Sequence, residues 1–403
     1  MKKFTFVLLL CMVATACSDS PVQPDRNDPN LRTLSAAENQ VAKGSNDFAF
    51  TLFSSTLNGK MSNAFLSPLS VSMALAMTLN GASEETEQGI RETIDYGDVT
   101  KDGVNQGYKD LTNLLLSMDK KATMGVANSV WYSDKYQANV TFSKVIEDYY
   151  DGTVQALDFG DPDSKDAINE WVQDKTNGRI SDLLSAIDPE EVMFLVNTIY
   201  FKADWTYKFD KSRTRKAAFT TIDGGTRQID MMSAEAVMLR RLITNDLTLL
   251  DIPYGNGQFR FTVLMPHDPA QLSAVVENLS ASSLGGMLDA SDSISMALDM
   301  PKFTMTWKDD IKNTLVEMGM PTKGFPGLLT EQQQELEISR IIHQTFLEVN
   351  EDGSEAAAAT AVGISVTSAG PSFAVNKPFV FMIRENHSGT ILFVGQLTDP
   401  GSL

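Results

Sequence analysis

Helical and strand patterns alternate without a break across residues 35–403, which predicts an α+β fold built as one large domain. Three observations support this. No Pro/Ser-rich or Gly-rich stretch divides the region, and it holds neither an internal repeat nor a heptad run. The 403 residues would on length alone suggest two or three domains, but a boundary needs a linker and none is found. Both cysteines, Cys11 and Cys17, precede the domain. The core must therefore stand without disulfides or thiol chemistry, and a chain of this length can bury a sufficient one.

Residues 1–16 read as a removable leader outside the fold. Lys2 and Lys3 form a basic start, Phe4 to Val13 is apolar, and Ala14-Thr15-Ala16 sets small residues before Cys17. The apolar run is too short to span a bilayer. The pattern resembles a bacterial lipoprotein signal cleaved before Cys17, with lipid on its thiol. Cys11 fits poorly because Leu10 precedes it. Ordinary secretion with a free Cys17 is the alternative. Ser18 in place of an inner-membrane retention Asp favours the outer membrane, facing either the periplasm or the exterior. Residues 17–34 then form the anchor and a polar tether, in which 18–34 carry three prolines.

The charge excludes some partners. With 33 basic against 52 acidic residues, the net charge is −19, which argues against nucleic acid and against a heparin-type polyanion. Arg240-Arg241 and Lys120-Lys121 read as solvated surface. The sequence also lacks enzyme signatures. Its three histidines are His267, His343 and His387. None is joined to a G-x-S-x-G elbow, an H-E-x-x-H pair or a Cys–His metal spacing, and a triad needs a base oriented beside a nucleophile. GNGQ and DGGT are turn glycines. The expectation is no catalysis, no metal and no cofactor. Met73 and Met77, four apart in a helix, and Met231-Met232 in a strand read as core fillers.

Residues 343–361, HQTFLEVNEDGSEAAAATA, are the most informative stretch. Phe346, Leu347 and Val349 begin it as a strand. Asn350 to Gly353 turn it polar, and a run of very small residues follows from Ser354 to Ala361. Taken alone, an Ala-rich run favours helix. Its continuation AVGISVTSAGP is β-branched and broken by Gly, which reverses that reading; a short helical turn in the resting loop stays compatible. With period two, Ser354, Ala356, Ala358, Thr360, Val362 and Ile364 share one face that a sheet could bury. The opposite face carries Glu355, Ala357 and Ala359. This is a latent strand held in a loop.

Seven further motifs run in a fixed order along the chain. They are NAFLSPLSVSMALAMTLNGASEET from Asn63, INEWVQDKTNGRI from Ile168, LVNTIYFKADW from Leu195, LDIPYGNG from Leu250, VLMP from Val263, MPKFTM from Met300 and NKPFVFMIRENHSGTILFVGQLTDP from Asn376. Together with the loop they resemble the serpin family over nearly the whole mature chain. The resemblance implies the serpin fold: a single large domain with a central, mainly antiparallel sheet, further sheets, about eight to nine helices and an exposed reactive-centre loop at about 351–372. It implies a serine protease inhibitor, with cysteine proteases as a further target class, that needs no catalytic residue. The protease cuts the loop and becomes an acyl-enzyme, and the loop then inserts as a new strand and drags the protease with it. The native state would be kinetically held.

The resemblance also implies site residues. The hinge runs through Glu351, Gly353, Ser354, Glu355, Ala356, Ala357, Ala358, Ala359 and Thr360, with Gly353 chosen for backbone freedom. It carries no proline and nothing bulky facing inward, which is the sequence argument for inhibition. A cut about fourteen residues after the hinge Gly falls at Thr367-Ser368, with Val366-Thr367 as the alternative. The inserted strand would then span about 45–50 Å. Small and β-branched residues before the cut suit an elastase-like or subtilisin-like protease. No Lys or Arg lies between Gly353 and Asn376, which disfavours a trypsin-like one. Ser67, Ser70, Asn197 and His343 match the shutter beneath the opening sheet. Trp205, Lys302 and Glu351 match the breach, where a Lys302–Glu351 ion pair is expected and Asp204 is an unusual neighbour. Phe65, Pro301, Phe303, Pro378, Phe379 and Gly395 read as core or turn residues. A monomer without a heparin site is expected. The alternative is a non-inhibitory member acting as a binding or carrier module.

Overall fold

The computed structural model describes residues 27–29, 31–330, 337–354 and 371–403. In chain order the elements are α1 (Ala36–Leu57), β1 (Ala64–Leu66), α2 (Pro68–Leu79), α3 (Glu84–Thr93), α4 (Lys101–Ser117), β2 (Thr123–Ser133), α5 (Val140–Tyr150), β3 (Thr153–Leu157), α6 (Ser164–Lys175) and β4 (Met193–Asp204). Then follow β5 (Arg215–Thr220), β6 (Thr226–Ile243), β7 (Leu247–Pro253), β8 (Phe259–Pro266), α7 (Leu272–Asn278), α8 (Ala281–Asp289), β9 (Asp292–Pro301), β10 (Phe303–Asp310) and α9 (Lys312–Glu317). The last are β11 (Arg340–Val349), β12 (Gly353–Ser354), β13 (Ser372–Ala374), β14 (Phe379–Glu385) and β15 (Ile391–Leu397). The α+β class and the single large domain are as expected, with nine α-helices among the described residues.

Local chemistry sets the ends of the elements that matter most. Ser35 and Glu38 close a capping box at the start of α1: the Glu38 N–H donates to Ser35 Oγ, and the Ser35 N–H donates to Glu38 Oε2 at 2.8 Å. α1 stops at Asn58, whose φ of 44° is a left-handed C-cap. α2 begins at Ser67, with Pro68 pre-set for the first turn. All twelve of its residues are buried, so it is a helix enclosed by core rather than an amphipathic surface helix.

Two sheets carry the fold. The central sheet has the order β10-β11-β12-β4-β2-β3, and the second runs β1-β15-β14-β8-β7-β6-β9-β13, with β5 beside β6. β14 and β15 are buried at every position. Phe65, Phe261, Phe381 and Phe393 stack between the sheets with centroids 5.0–5.6 Å apart. A second, smaller core forms where α6 covers the other face of the central sheet, around Trp131, Phe159, Ile168, Val172 and Phe194.

Within residues 27–34, assigned to the tether from sequence, Asn27 and Arg32 bind the domain. Asn27 donates to Asp119 Oδ1 at 2.6 Å, and its own Oδ1 accepts from the Lys120 N–H at 2.9 Å. Arg32 pairs with buried Glu38, and its carbonyl meets His387 Nε2 at 2.6 Å. No helix of the described residues is long and apolar enough to cross a membrane.

Gly395 is fixed by space. A Cβ there would sit 2.6 Å from the Ala64 carbonyl oxygen and 2.7 Å from the Phe381 ring. Gly395→Ala is expected to cost about 1–3 kcal/mol by overpacking, read as a lower urea midpoint with unchanged far-UV dichroism.

Candidate functional site

The site is a seam between two parallel strands far apart in sequence. β11 and β4 pair directly from Arg340↔Phe194 to Gln344↔Thr198. Beyond Gln344 the ladder between them stops. At the far end β12 lies between the two strands and antiparallel to both, with Ser354 opposite Val349 on one side and Ala203 on the other. The seam thus has a zipped part, an unladdered part and a part already filled by two residues.

Gly353 is required there by close approach. An added Cβ would stand 2.0 Å from the Ala203 carbonyl oxygen and 2.7 Å from Asp204 Cα. Backbone freedom, the reason read from sequence, is secondary to this contact. Ser354 is buried and shares a 2.6 Å hydrogen bond with Tyr254 Oη. The Tyr254 ring stacks on Trp205 at 4.2 Å and 9°, and burial raises its phenol pKa despite the Ser354 hydrogen bond. Tyr254 therefore stays a neutral hydroxyl.

The residues before Gly353 are tied down from several sides. Trp205 donates from Nε1 to the Asn350 carbonyl at 2.9 Å and from its backbone N–H to the Asp352 carbonyl at 2.8 Å. Asn350 Oδ1 accepts from the N–H groups of Asp352 and Gly353, an Asx-type turn. Lys302 Nζ meets Glu351 Oε2 at 2.9 Å, and Thr214 donates to Glu351 Oε1 at 2.7 Å. Burial alone would raise the Glu351 carboxyl; the Lys302 and Thr214 contacts outweigh it and hold the group below its ordinary value. Asp204 pairs with Lys208 at 2.9 Å and leaves the Lys302–Glu351 pair intact. Trp205, Lys302 and Glu351 thus converge on one corner.

Lower in the seam the polar residues form two groups. The Ser67 N–H donates to His343 Nε2 at 2.9 Å, Ser67 Oγ donates to the Leu392 carbonyl at 2.6 Å, and the Ser70 N–H donates to Ser67 Oγ at 3.3 Å. That acceptor role places the neutral-ring proton of His343 on Nδ1. Burial pushes the His343 imidazole down to about 3. Asn197 does not join this group through a side-chain hydrogen bond. Its amide donates to Asn128 Oδ1 on the neighbouring β2, although its backbone lies opposite His343. Ser70 Oγ, Asn197 Oδ1, Thr198 Oγ1 and Gln344 Oε1 are buried with no hydrogen-bond partner among the described residues.

Several expected site residues lie outside the described residues: Cys17, Glu355, Ala356, Ala357, Ala358, Ala359, Thr360, Val366, Thr367 and Ser368. Other contributors escaped the sequence reading. Asp352 is buried and paired with Lys211 at 2.5 Å and Lys208 at 3.6 Å. The signal was there: Lys208, Lys211, Arg213, Arg215 and Lys216 put five cations within nine positions of an acidic chain. Their charges face Asp204, Asp352, Glu235, Asp299 and Asp230. Tyr254 stood in the LDIPYGNG motif, and only tertiary structure places it on Ser354. Arg240, read as solvated surface, donates toward the Leu288 and Ser291 carbonyls at the end of α8.

The two titratable groups act in separate pH windows. His343 is depressed in the fold, so the unfolded chain binds the extra proton between about pH 6.5 and 3, and stability is lost on acidification at up to about 1.4 kcal/mol per pH unit. Glu351 is depressed as a carboxylate; its contribution is complete above its unfolded value and disappears only as pH falls through the lower folded one. The urea-midpoint deficit of His343→Asn should therefore shrink between about pH 7 and about pH 5, while that of Glu351→Gln stays level over the same range. A His343→Asn deficit independent of pH would contradict the buried neutral imidazole.

Comparison with known proteins places this geometry. The family model described as Serpin (serine protease inhibitor) matches residues 43–400. Human Antithrombin-III is 33% identical over 380 residues, covering 90% of this chain and 82% of that protein. The structure of human thyroxine-binding globulin complexed with thyroxine superposes with a TM-score of 0.83 at 27% identity, covering 91% of this chain and all of that one. The thermophilic serpin Tengpin in its native state gives 0.81 at 27% identity, covering 92% and 97%. On the extent of these matches, the chain belongs to the serpin family.

Proposed function

We propose that this chain is a suicide-substrate inhibitor of serine proteases, with cysteine proteases as a further class, that traps its target by loop insertion and is not itself an enzyme. The observation that carries the reading is the seam, already split by Gly353 and Ser354 at one end and zipped at the other. Extending the β12 register by two residues at a time sets Ala356 between Leu347 and Phe201, Ala358 between Thr345 and Ile199, and Thr360 between His343 and Asn197. Each of these flanking residues is buried, so only small inward side chains fit without a clash. That is the composition of the sequence from Ser354 onward. Glu351, Gly353 and Ser354 act as the described part of the hinge. Trp205, Lys302 and Glu351 form the breach that holds the hinge until cleavage. Ser67, Ser70, Asn197 and His343 gate the passage of the strand.

Insertion also has a thermodynamic direction. β11 and β4 are parallel, and an inserted strand is antiparallel to both. One parallel interface is exchanged for two antiparallel ones, each slightly better per residue. We propose cleavage at Thr367-Ser368 or one residue earlier, by an elastase-like or subtilisin-like protease. We further propose an acidic monomer held at the outer membrane through lipid on Cys17, with secretion as the alternative.

Residues 18–403 incubated with pancreatic elastase or subtilisin should give a covalent complex that survives boiling in detergent. It should release a C-terminal peptide beginning at Ser368, or at Thr367 for the earlier bond. Ser354→Arg should still be cleaved but form at least about tenfold less complex, since it would bury an unpaired charge against Tyr254. Clean cleavage of the unmodified chain without complex, across several protease classes, would overturn the inhibitor reading and leave the fold as a binding or carrier module.

A further inference from the structure

The zipped end of the seam is fastened by a side chain that the inhibitory reading has not used. Arg340 opens β11 directly opposite Phe194 of β4, at the last laddered pair. Its guanidinium lies over the Phe194 ring, 4.6 Å from the centroid. It also pairs with Glu191, just ahead of β4: Nη2 donates to Oε2 at 2.7 Å, and Nε stands 2.6 Å from Oε1 without hydrogen-bonding to it. Nη2 donates further to the Ala186 carbonyl at 3.0 Å, in the segment between α6 and β4. Arg340 and Glu191 are mostly buried, at 25% and 16% side-chain exposure, so the ion pair is less screened than an exposed one. A planar cation stacked on a ring and paired with a carboxylate is a contact that lysine would not reproduce. Phe194 also packs in the core beneath α6, which braces the ring from behind.

A strand placed between β11 and β4 moves them from one strand spacing to two, about 4.8 to about 9.6 Å. The ring contact is lost at that separation, and the Glu191 pair must stretch with it. Insertion that has passed the shutter still meets this staple last, because Arg340–Phe194 is the pair farthest from Ser354. We propose that Arg340, clamped on Phe194 and Glu191, is a positioning residue that limits completion of strand insertion and so divides attacking protease between trapping and release. This rests on the inhibitor reading above, but the staple can be tested without any protease.

A synthetic peptide of residues 354–367, added to the intact chain, supplies the strand directly. Its uptake is followed on native gels and by the rise in urea midpoint. Arg340→Ala should take up the peptide about tenfold faster, Arg340→Lys should fall between it and the unmodified chain, and Phe194→Leu, which keeps the core filled, should approach the alanine variant. The peptide-bound forms of the unmodified chain and of the two Arg340 variants should share one urea midpoint, because the staple exists only in the closed sheet. Uptake at the unmodified rate in both Arg340→Ala and Phe194→Leu would overturn the proposal, as would equal destabilisation of the free and peptide-bound forms by Arg340→Ala. A sheet that takes up no peptide at all would overturn staple and insertion together. With elastase, Arg340→Ala should consume fewer inhibitor molecules per protease trapped. Peptide uptake accelerated as expected, in a chain that traps no protease, would support the staple and refute the inhibitor reading alone.

Discussion

The structure turns on one constraint: β4 and β11 are parallel neighbours that do not need each other. A parallel pair so distant in sequence is joined only through the fold around it. Each strand also has a lasting partner on its outer side, β2 for β4 and β10 for β11. Their mutual ladder covers five residue pairs, from Arg340↔Phe194 to Gln344↔Thr198, whereas β2 and β4 pair over ten. The central sheet can part along this line while both halves keep most of their hydrogen bonds. A sheet of uniformly antiparallel strands joined by hairpins could not do so, because no interior position would accept a strand antiparallel to both neighbours.

The buried polar groups are distributed to match. At the filled end Glu351 is satisfied by Lys302 and Thr214, Ser354 by Tyr254 and Asn350 by the turn it closes, while Lys208 Nζ is ion-paired with Asp204 but makes no hydrogen bond among the described residues. At the zipped part, Ser70 Oγ, Asn197 Oδ1, Thr198 Oγ1 and Gln344 Oε1 find no partner among the described residues. Each such group costs about 1–3 kcal/mol if left dry. Gln344 and Thr198 are directly opposite each other, so the cost lies on the line that must open. The closed seam is therefore held by sterics and neighbouring contacts more than by its own polar pairing, which is what the proposed kinetically retained state would need.

Sequence showed the fold and the loop because both are written in local patterns. The four-residue spacing of Met73 and Met77 and the alternation from Ser354 onward depend on residues close together in the chain. Contacts across the molecule were legible only where a motif carried them, as with Lys302 and Glu351. Asn197 shows the limit. Its backbone position opposite His343 follows from the resemblance, but its amide turns to Asn128, and a side-chain direction set by packing leaves no trace in spacing. The need for glycine at 353 was clear, yet the reason was not, because the carbonyl it must approach belongs to Ala203, 150 residues away. The basic run from Lys208 to Lys216 was visible and passed over, since in an acidic chain cations scattered through a turn look like surface.

On the proposed mechanism, the seam's three parts would also order the work of insertion. Two residues are already in place between Val349 and Ala203, so the first step costs no ladder. The stretch between Ser354 and the zip has no β11–β4 bridge to break. Extended at the β12 register, Ala356 and Ala358 would enter this stretch, where the requirement is width, which alanine meets. Thr360 is the first inward residue that must separate laddered strands, between His343 and Asn197. From there each further residue exchanges a parallel bridge for two antiparallel ones. The barrier therefore stands at the zip rather than at the hinge. On that reading the ion pairs around Glu351 and Asp352 would set where the strand begins, and the buried seam would set whether it finishes.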